Sequence, residues 1–278
     1  MERDILTSLW VREPAENAPA RASSSAAAEF SRALARHWPE FVDCQKRLLT
    51  EAPFLESVVP RGSGLILDAC AGTGCESIYL LQNGFQVVSN EIDRELRNVA
   101  AQAGRTKGVQ LTLTSADWRS IGREFAEQTF RAILLMGNSL GLLGTLGEVT
   151  ESLQQLYRLL MPGGCLILDQ RNYDYILDDR DAILRGNFHY SRRYIYCGTS
   201  VTGRPREIDE RRVVFGYYAN SGAPLGTLSM IPIRKGQLGS MLTDTGYVDV
   251  TPYYDFKTSP VANYDFVTFV ARRPSVEV

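Results

Sequence analysis

One stretch limits this chain more than any other: Leu65-Ile66-Leu67-Asp68-Ala69, then the turn Cys70-Ala71-Gly72-Thr73-Gly74, then a run from Cys75 with Ile78 and Leu81 at helical spacing. A short apolar run that ends in a glycine turn and opens into an amphipathic helix is the unit of a parallel sheet, because only a crossover can bring the chain back to start the next strand. The unit then repeats. The helix stops at Asn83-Gly84, a second strand is expected over Gln86 to Glu91, and Leu96, Val99, Ala100 and Ala103 mark the next helix. Strands over Gln110 to Thr114 and Phe130 to Met136 follow, the second nearly all apolar, as a strand covered on both faces is. Val149, Leu153, Leu156 and Leu160 share one helix face, Pro162-Gly163-Gly164 ends that helix, and Cys165 to Asp169 forms a fifth strand. A last helix around Leu238, Met241 and Leu242 ends at Gly246, and a hairpin-like pair near Val248 to Tyr254 and Phe266 to Arg272 brings the sheet to seven strands.

Two regions depart from this rhythm. Ahead of it, residues 13 to 28 carry Pro14, Pro19 and serines at 23 to 25, and read as a mobile lead into a helix. Phe30, Ala33, Leu34 and His37 mark that helix, Pro39 is expected to break it, and Phe41, Cys44, Leu48 and Leu49 resume the pattern up to Pro53. Residues 188 to 233 alternate tyrosines, arginines and β-branched residues between glycine turns, which predicts an antiparallel insert or cap. The expected division is 1–60 N-terminal lead and helices, 61–186 ligand-binding core, 187–233 antiparallel insert, and 234–278 the closing part of the core sheet.

Thirty basic against thirty-two acidic residues leave a net charge of -2, which argues against nucleic acid or an anionic membrane as partner. No stretch approaches the ~20 apolar residues of a membrane span, and no signal-like run opens the chain. Five scattered cysteines, Cys44, Cys70, Cys75, Cys165 and Cys197, form no metal spacing and fit a reduced, cytoplasmic setting. Neither His37 nor His189 stands in a metal-ligand spacing, so no metal is expected, although His189 beside Tyr190 is a candidate base.

The turn at Ala71, Gly72 and Gly74 admits close approach of a ligand to backbone, and Glu91 ends the next strand about 17 residues on. A carboxylate there accepts both hydroxyls of a ribose, so turn plus acid predicts a nucleoside-type ligand. Ser77 stands where a dinucleotide fold places its third glycine, which disfavours a pyrophosphate-bridged ligand. Met136, Asp117 and Trp118 lie at further strand ends; Asp117 is placed to bond an adenine amino group and Trp118 to cover its face, unless the indole is ordinary core.

The run Leu67-Asp68-Ala69-Cys70-Ala71-Gly72-Thr73-Gly74, the acid Glu91 and the turn Met161-Pro162-Gly163-Gly164 resemble the class I methyltransferases. That resemblance implies a Rossmann-like α/β fold with S-adenosylmethionine as methyl donor. Gly137-Asn138-Ser139 and Gln170-Arg171-Asn172-Tyr173-Asp174-Tyr175-Ile176-Leu177 look closest to the glycine N-methyltransferase group. By that resemblance Arg171 holds the acceptor's carboxylate, Asn138 contacts the acceptor, Tyr190 sits over the transfer centre and Tyr217 lies nearby. A structural pair of Arg171 with Asp169 or Asp174, and tyrosines that merely pack a sheet, are the alternatives.

One departure bears on the acceptor. The family's Ser-Tyr-Tyr-Pro stretch is Ser229-Met230-Ile231-Pro232 here, and the insert carries Arg192, Arg193, Arg204, Arg206, Arg211 and Arg212. The leading expectation is N-methylation of a small amino-acid-like acceptor. Its runner-up is C- or O-methylation of an apolar anion, such as a natural-product intermediate or a prenyl diphosphate. Base methylation in nucleic acid commonly uses an Asn/Asp-Pro-Pro-aromatic turn after the fourth strand, where Gly137-Asn138-Ser139-Leu140 stands instead. Self-association into a homo-oligomer stays open.

Overall fold

The computed structural model describes residues 32–191, 200–261 and 263–275. The N-terminal lead with Phe30, and Arg192 and Arg193, lie outside these residues. The chain opens on helices α1 (Arg32–Phe41) and α2 (Cys44–Val58), followed by β1 (Leu65–Asp68), α3 (Cys75–Gln82), β2 (Gln86–Asn90) and α4 (Arg94–Thr106). Next come β3 (Thr112–Thr114), β4 (Phe130–Leu135), α5 (Leu146–Leu159), β5 (Leu160–Arg171) and α6 (Tyr173–Asp178). Strands β6 (Val201–Ile208), β7 (Val213–Ala219) and β8 (Pro224–Met230) precede α7 (Lys235–Thr245), β9 (Val248–Tyr254) and β10 (Phe266–Arg272).

Seven strands form one sheet in the order β3-β2-β1-β4-β5-β10-β9, with β10 antiparallel to both its neighbours and the other pairs parallel. Because side chains alternate along a strand, each face has its own core. Leu65, Leu67, Ile133, Leu135, Leu166 and Leu168 meet Val149, Leu153 and Leu156 of α5 and Leu238 and Leu242 of α7. Ile66, Ala132, Leu134 and Ile167 meet Phe54, Leu55 and Val58 of α2 and Leu80 of α3 on the other side. The strand order reverses between β1 and β4, and the glycine turn after β1 opens at that crevice.

The predicted insert is a separate three-stranded antiparallel sheet, β6-β7-β8. Its inward residues Val213, Phe215, Tyr217, Leu228 and Met230 pack with Leu34 and Phe41 of α1 and with Tyr173 and Ile176 of α6. The small sheet therefore stands on the carboxyl side of the large one.

The N-terminal helices differ from expectation at both prolines. Pro39 lies inside α1, and the hydrogen-bond ladder resumes at once, Val42 N–H bonding Trp38 O at 2.8 Å. Pro53 lies inside α2, which continues to Val58, and Leu49, the residue whose carbonyl the missing N–H would face, is 75% exposed. Leu49 is thus a solvent residue, and Arg47 and Glu51 are buried on the same helix instead. In α3, Leu80 rather than Leu81 takes the fully buried place.

Candidate active site

At the carboxyl ends of β1, β2 and β3 the backbone is tied by one buried side chain. Asn90 donates from Nδ2 to the carbonyls of Ala69 and Ala116, both at 3.1 Å, while its Oδ1 accepts from Thr114 Oγ1 and Ala116 N–H, both at 2.7 Å. Three strand ends therefore move together. Beside this knot, Glu91 accepts the Gly72 N–H at 2.9 Å on one oxygen and the Asp93 N–H at 2.8 Å on the other. Burial raises the Glu91 carboxyl above its usual range, against the lowering pull of those two N–H groups. Gly74 has φ +85°, and a Cβ there would stand 3.2 Å from Leu111 Cδ2 and 3.3 Å from Ala100 Cβ, so only glycine turns the chain into α3 this tightly.

Trp118 donates from Nε1 to Ala69 O at 2.7 Å, which sets the indole's plane at the end of β1. Asp117 caps the short 3-10 helix Trp118–Arg123, accepting the Arg119 N–H at 3.0 Å, and is gripped by the Arg119 guanidinium. That pairing holds the Asp117 carboxyl below its usual range. Arg119 also bonds Glu148 of α5. Asp117 is thus an anchored carboxylate whose strongest partner is already present.

These residues wall a cavity of about 370 Å³ that runs between the two sheets. Ala71, Gly72, Glu91, Asp117, Trp118 and Met136 line it toward the glycine turn, and Asn138, Arg171, Tyr217, Leu228 and Met230 toward the small sheet. Nine of the eleven residues singled out from sequence meet in this one space; Gly74 and Tyr190 do not line it. Gly74 acts behind the wall through the turn it permits. Tyr190 stands against Arg171, accepting from Nη1 at 3.3 Å and donating to Gly203 O at 2.9 Å. Tyr190 thus stands against Arg171, next to the residues that line the cavity.

Arg171, 3% exposed, ends β5 opposite Phe266 of β10. Its guanidinium carbon lies 4.3 Å from the ring centre of Phe215, 5.1 Å from Phe266 and 5.6 Å from Tyr190. Such a cage holds the guanidinium in place through the ring faces. Nearby, Asp169 accepts the Asn138 N–H at 2.6 Å, and Asp174 takes Arg234 at 3.4 Å and the Lys235 N–H at 3.2 Å.

Asn138 is held from every side. It sits in the left-handed region at φ 59°, its Oδ1 accepts the Arg171 N–H at 2.9 Å, and its Nδ2 donates to Tyr173 Oη at 3.0 Å and to Met230 Sδ at 2.8 Å. Burial pushes the Tyr173 hydroxyl well up from its usual range, so it stays a neutral donor. Asn138 thus links Arg171, Tyr173 and Met230 while lining the cavity.

Several lining residues carried no signal in the sequence. Trp38, Val42 and Arg47 reach the cavity from the N-terminal helices. Arg47 bonds Glu51 at 2.6 Å and also pairs with Glu76, all three buried. A disulfide joins Cys44, the first residue of α2, to Cys75, the first of α3, at a Cα separation of 5.7 Å. The expectation of five reduced cysteines fails for this pair, and with it the premise for a reducing compartment; residues 31 apart in sequence give no hint of meeting. The arginine-rich insert is also corrected. Arg212 pairs with Glu207 at 2.7 Å, Arg204 covers Tyr218, and none of Arg204, Arg206, Arg211 and Arg212 lines the cavity. Ile231 turns away to the core of the large sheet, leaving Met230 alone at the site. His189 is exposed, and no group of His, Cys, Asp or Glu able to hold a metal occurs among the described residues.

Residues 66–164 match the family described as "Methyltransferase domain". The chain is 35% identical over 238 residues to a glycine/sarcosine N-methyltransferase of Halorhodospira halochloris, covering 85% of each chain. It is 32% identical to that of Aphanothece halophytica, over 88% of this chain and 90% of the other. Among solved structures, an S-adenosylmethionine-dependent methyltransferase from Clostridium acetobutylicum superposes with a TM-score of 0.65 over 87% of this chain and 98% of that one, at 14% identity, a likeness of fold.

Proposed function

The chain belongs to the S-adenosylmethionine-dependent methyltransferases of the glycine/sarcosine N-methyltransferase group, and on that premise we propose that it methylates the nitrogen of a small amino acid. The observation that carries this reading is Arg171, a caged guanidinium at the end of the cavity away from Glu91. A planar fork fixed by aromatic faces suits a carboxylate, and a carboxylate held there turns the attached amine toward the donor end.

The residues at the donor end fit S-adenosylmethionine by their chemistry. Glu91 keeps lone pairs for ribose hydroxyls beyond those that bind Gly72 and Asp93, Trp118 offers a fixed face to adenine, and Arg47 offers a guanidinium to the amino-acid carboxylate. The bound donor supplies an electrophilic methyl on sulfur: the acceptor's nitrogen lone pair forms the new N–C bond as the C–S bond breaks, its electrons stay on sulfur, and the amine proton leaves. The protein's own part is alignment. Asn138 and the ring cage fix Arg171, Trp38 and Tyr217 close the wall, and the buried setting keeps bulk water out of the line of attack.

The same reading includes a free small-molecule acceptor rather than nucleic acid, consistent with the charge of -2. No helix among the described residues is long and apolar enough to cross a membrane. A cytoplasmic setting is proposed because the donor is a soluble metabolite consumed once per turnover.

A transfer assay with labelled donor tests the proposal, offering glycine, sarcosine and related amino acids beside apolar acids and prenyl diphosphates. Transfer to an amine is expected, and Arg171→Ala should lower acceptor kcat/KM by about 10- to 100-fold, the worth of a charged hydrogen bond, while donor affinity stays as it was. Transfer to apolar acids or diphosphates alone would favour the C- or O-methylating alternative. Equal loss of donor affinity in Arg171→Ala would remove the role given to that residue.

A further inference from the structure

Resting on the methyl-transfer reading above, we infer that the acceptor is an amino acid bearing a short hydrocarbon substituent, selected by the wall that Met230 and Leu228 present beside Arg171.

The small sheet presents that wall by strand alternation. Leu228 and Met230, two apart on β8, both face inward and are buried, while Thr227 and Ser229 face the other way. Trp38 and Val42 from the N-terminal helices and Leu142 after β4 extend the same apolar surface. The polar groups nearest to it are the Tyr217 hydroxyl at the same end of the cavity and Asn138, whose amide is committed: one N–H goes to Tyr173 Oη, the other to Met230 Sδ, and the oxygen takes the Arg171 N–H. A hydroxylated or charged substituent laid on the Leu228 and Met230 side chains gives up hydrogen bonds to water that hydrocarbon does not replace.

Met230 is also fixed in place. Tyr173 Oη donates to Sδ at 3.4 Å, and behind the side chain Gly141 leaves no slack: a Cβ on it would lie 3.4 Å from Met230 Cβ and 3.2 Å from Tyr173 Oη. The Gly141 carbonyl accepts the Ile231 N–H at 2.7 Å, so the turn after β4 and the end of β8 close on one another. Methionine ordinarily adapts its shape to what it meets. Held by two donors and a closed turn, this one presents a definite apolar surface. Glycine has nothing to bury against it, whereas each methylene added to the acceptor buries against hydrocarbon and gains about 4-fold in affinity.

The full chain tests this in two series. In the first, kcat/KM is measured for glycine, alanine, 2-aminobutyrate, norvaline, N-ethylglycine and serine, which separates side-chain from N-alkyl placement of the substituent. In the second, acetate, propionate and butyrate compete with the acceptor. Inhibition should strengthen by about 4-fold per methylene until the wall is filled, and serine should fall below 2-aminobutyrate. Met230→Gln, close in length and able to accept from Asn138, should flatten both series while donor affinity is unchanged. Acetate inhibiting as well as butyrate, or glycine giving the highest kcat/KM, overturns the inference and leaves N-methylation standing. No transfer to any amine overturns N-methylation itself, and this inference with it.

Discussion

Glu91 and Asp68 sit on adjacent strand ends, both buried, and burial raises the pKa of each, yet they act differently. Glu91 faces the cavity and ties the glycine turn through the Gly72 N–H. Glu91→Gln keeps its shape but turns one acceptor into a donor facing a backbone N–H. Donor affinity should then fall by about 10- to 100-fold, the range for a lost charged hydrogen bond, as read by calorimetry; an unchanged Kd would mean that Glu91 does not hold the ribose. Asp68 faces the interior, where its carboxylate accepts from Ser77 Oγ at 2.6 Å and Ser77 in turn from Ser89 Oγ at 2.7 Å. Burial, reinforced by Glu76, pushes Asp68 up to about 7 from a usual 3.8. The folded state therefore binds this proton more tightly than the unfolded chain does. Its stabilisation is complete below about pH 4 and is lost as pH rises through about 7. Melting temperature of the wild type should fall between pH 5 and pH 8 more steeply than that of Asp68→Asn, which keeps an acceptor for Ser77 and cannot ionise. Parallel curves would place the pH dependence elsewhere, Glu51 foremost.

The N-terminal helices are attached to the glycine turn by covalent and ionic links at the same level. Cys44 bonds Cys75 and, one helical turn on, Arg47 pairs with Glu76. Closing a loop between residues 31 apart restricts the unfolded chain by about 4 kcal/mol. Cys44→Ser should lower the melting temperature by several degrees, and dithiothreitol should lower the wild type to the same value while leaving the variant where it is. Insensitivity of the wild type to reductant would show that the bond adds nothing to stability. These links also explain what sequence could and could not disclose. Strands β9 and β10 occupy the very residues expected of them, because Val248–Tyr254 and Phe266–Arg272 are bounded by local turn signals. Helix α2 was harder to read. Its pattern of Phe41, Cys44, Leu48 and Leu49 suggested an apolar face, but α3 and the glycine turn lie against the other side, so Arg47 and Glu51 are buried and Leu49 meets water. An Arg and a Glu four apart ordinarily decorate a solvated face. Only the third partner, Glu76, from a distant part of the chain, makes burial tolerable.

At the scale of the molecule, the cavity has two owners. The large sheet supplies the donor end through the turn after β1, where strand order reverses, and this half was legible because each piece is local: a strand, a glycine turn, an acid at the next strand end. The small sheet and α1 supply the other end through contacts between segments far apart in sequence. Tyr217 of β7 meets Trp38 and Phe41 of α1 edge-on at 5.6 and 5.1 Å, and Met230 of β8 meets Asn138 from the turn after β4. No periodicity announces such meetings, which is why Trp38 and Val42 went unread. Split ownership has a thermodynamic consequence. Glu91 is held by Gly72 and Asp93, whereas Arg171 is held by Asn138, Tyr190, Phe215 and Phe266, and these two sets have no member in common. Sites without shared partners lose free energy independently, to within about 0.5 kcal/mol. The double variant Glu91→Gln with Arg171→Ala should therefore lose kcat/KM by the product of the two single losses, within about 2- to 3-fold. A loss much smaller than the product would mean that donor and acceptor ends close as one unit, with the N-terminal helices, attached to both ends through Trp38 and Arg47, as the element that couples them.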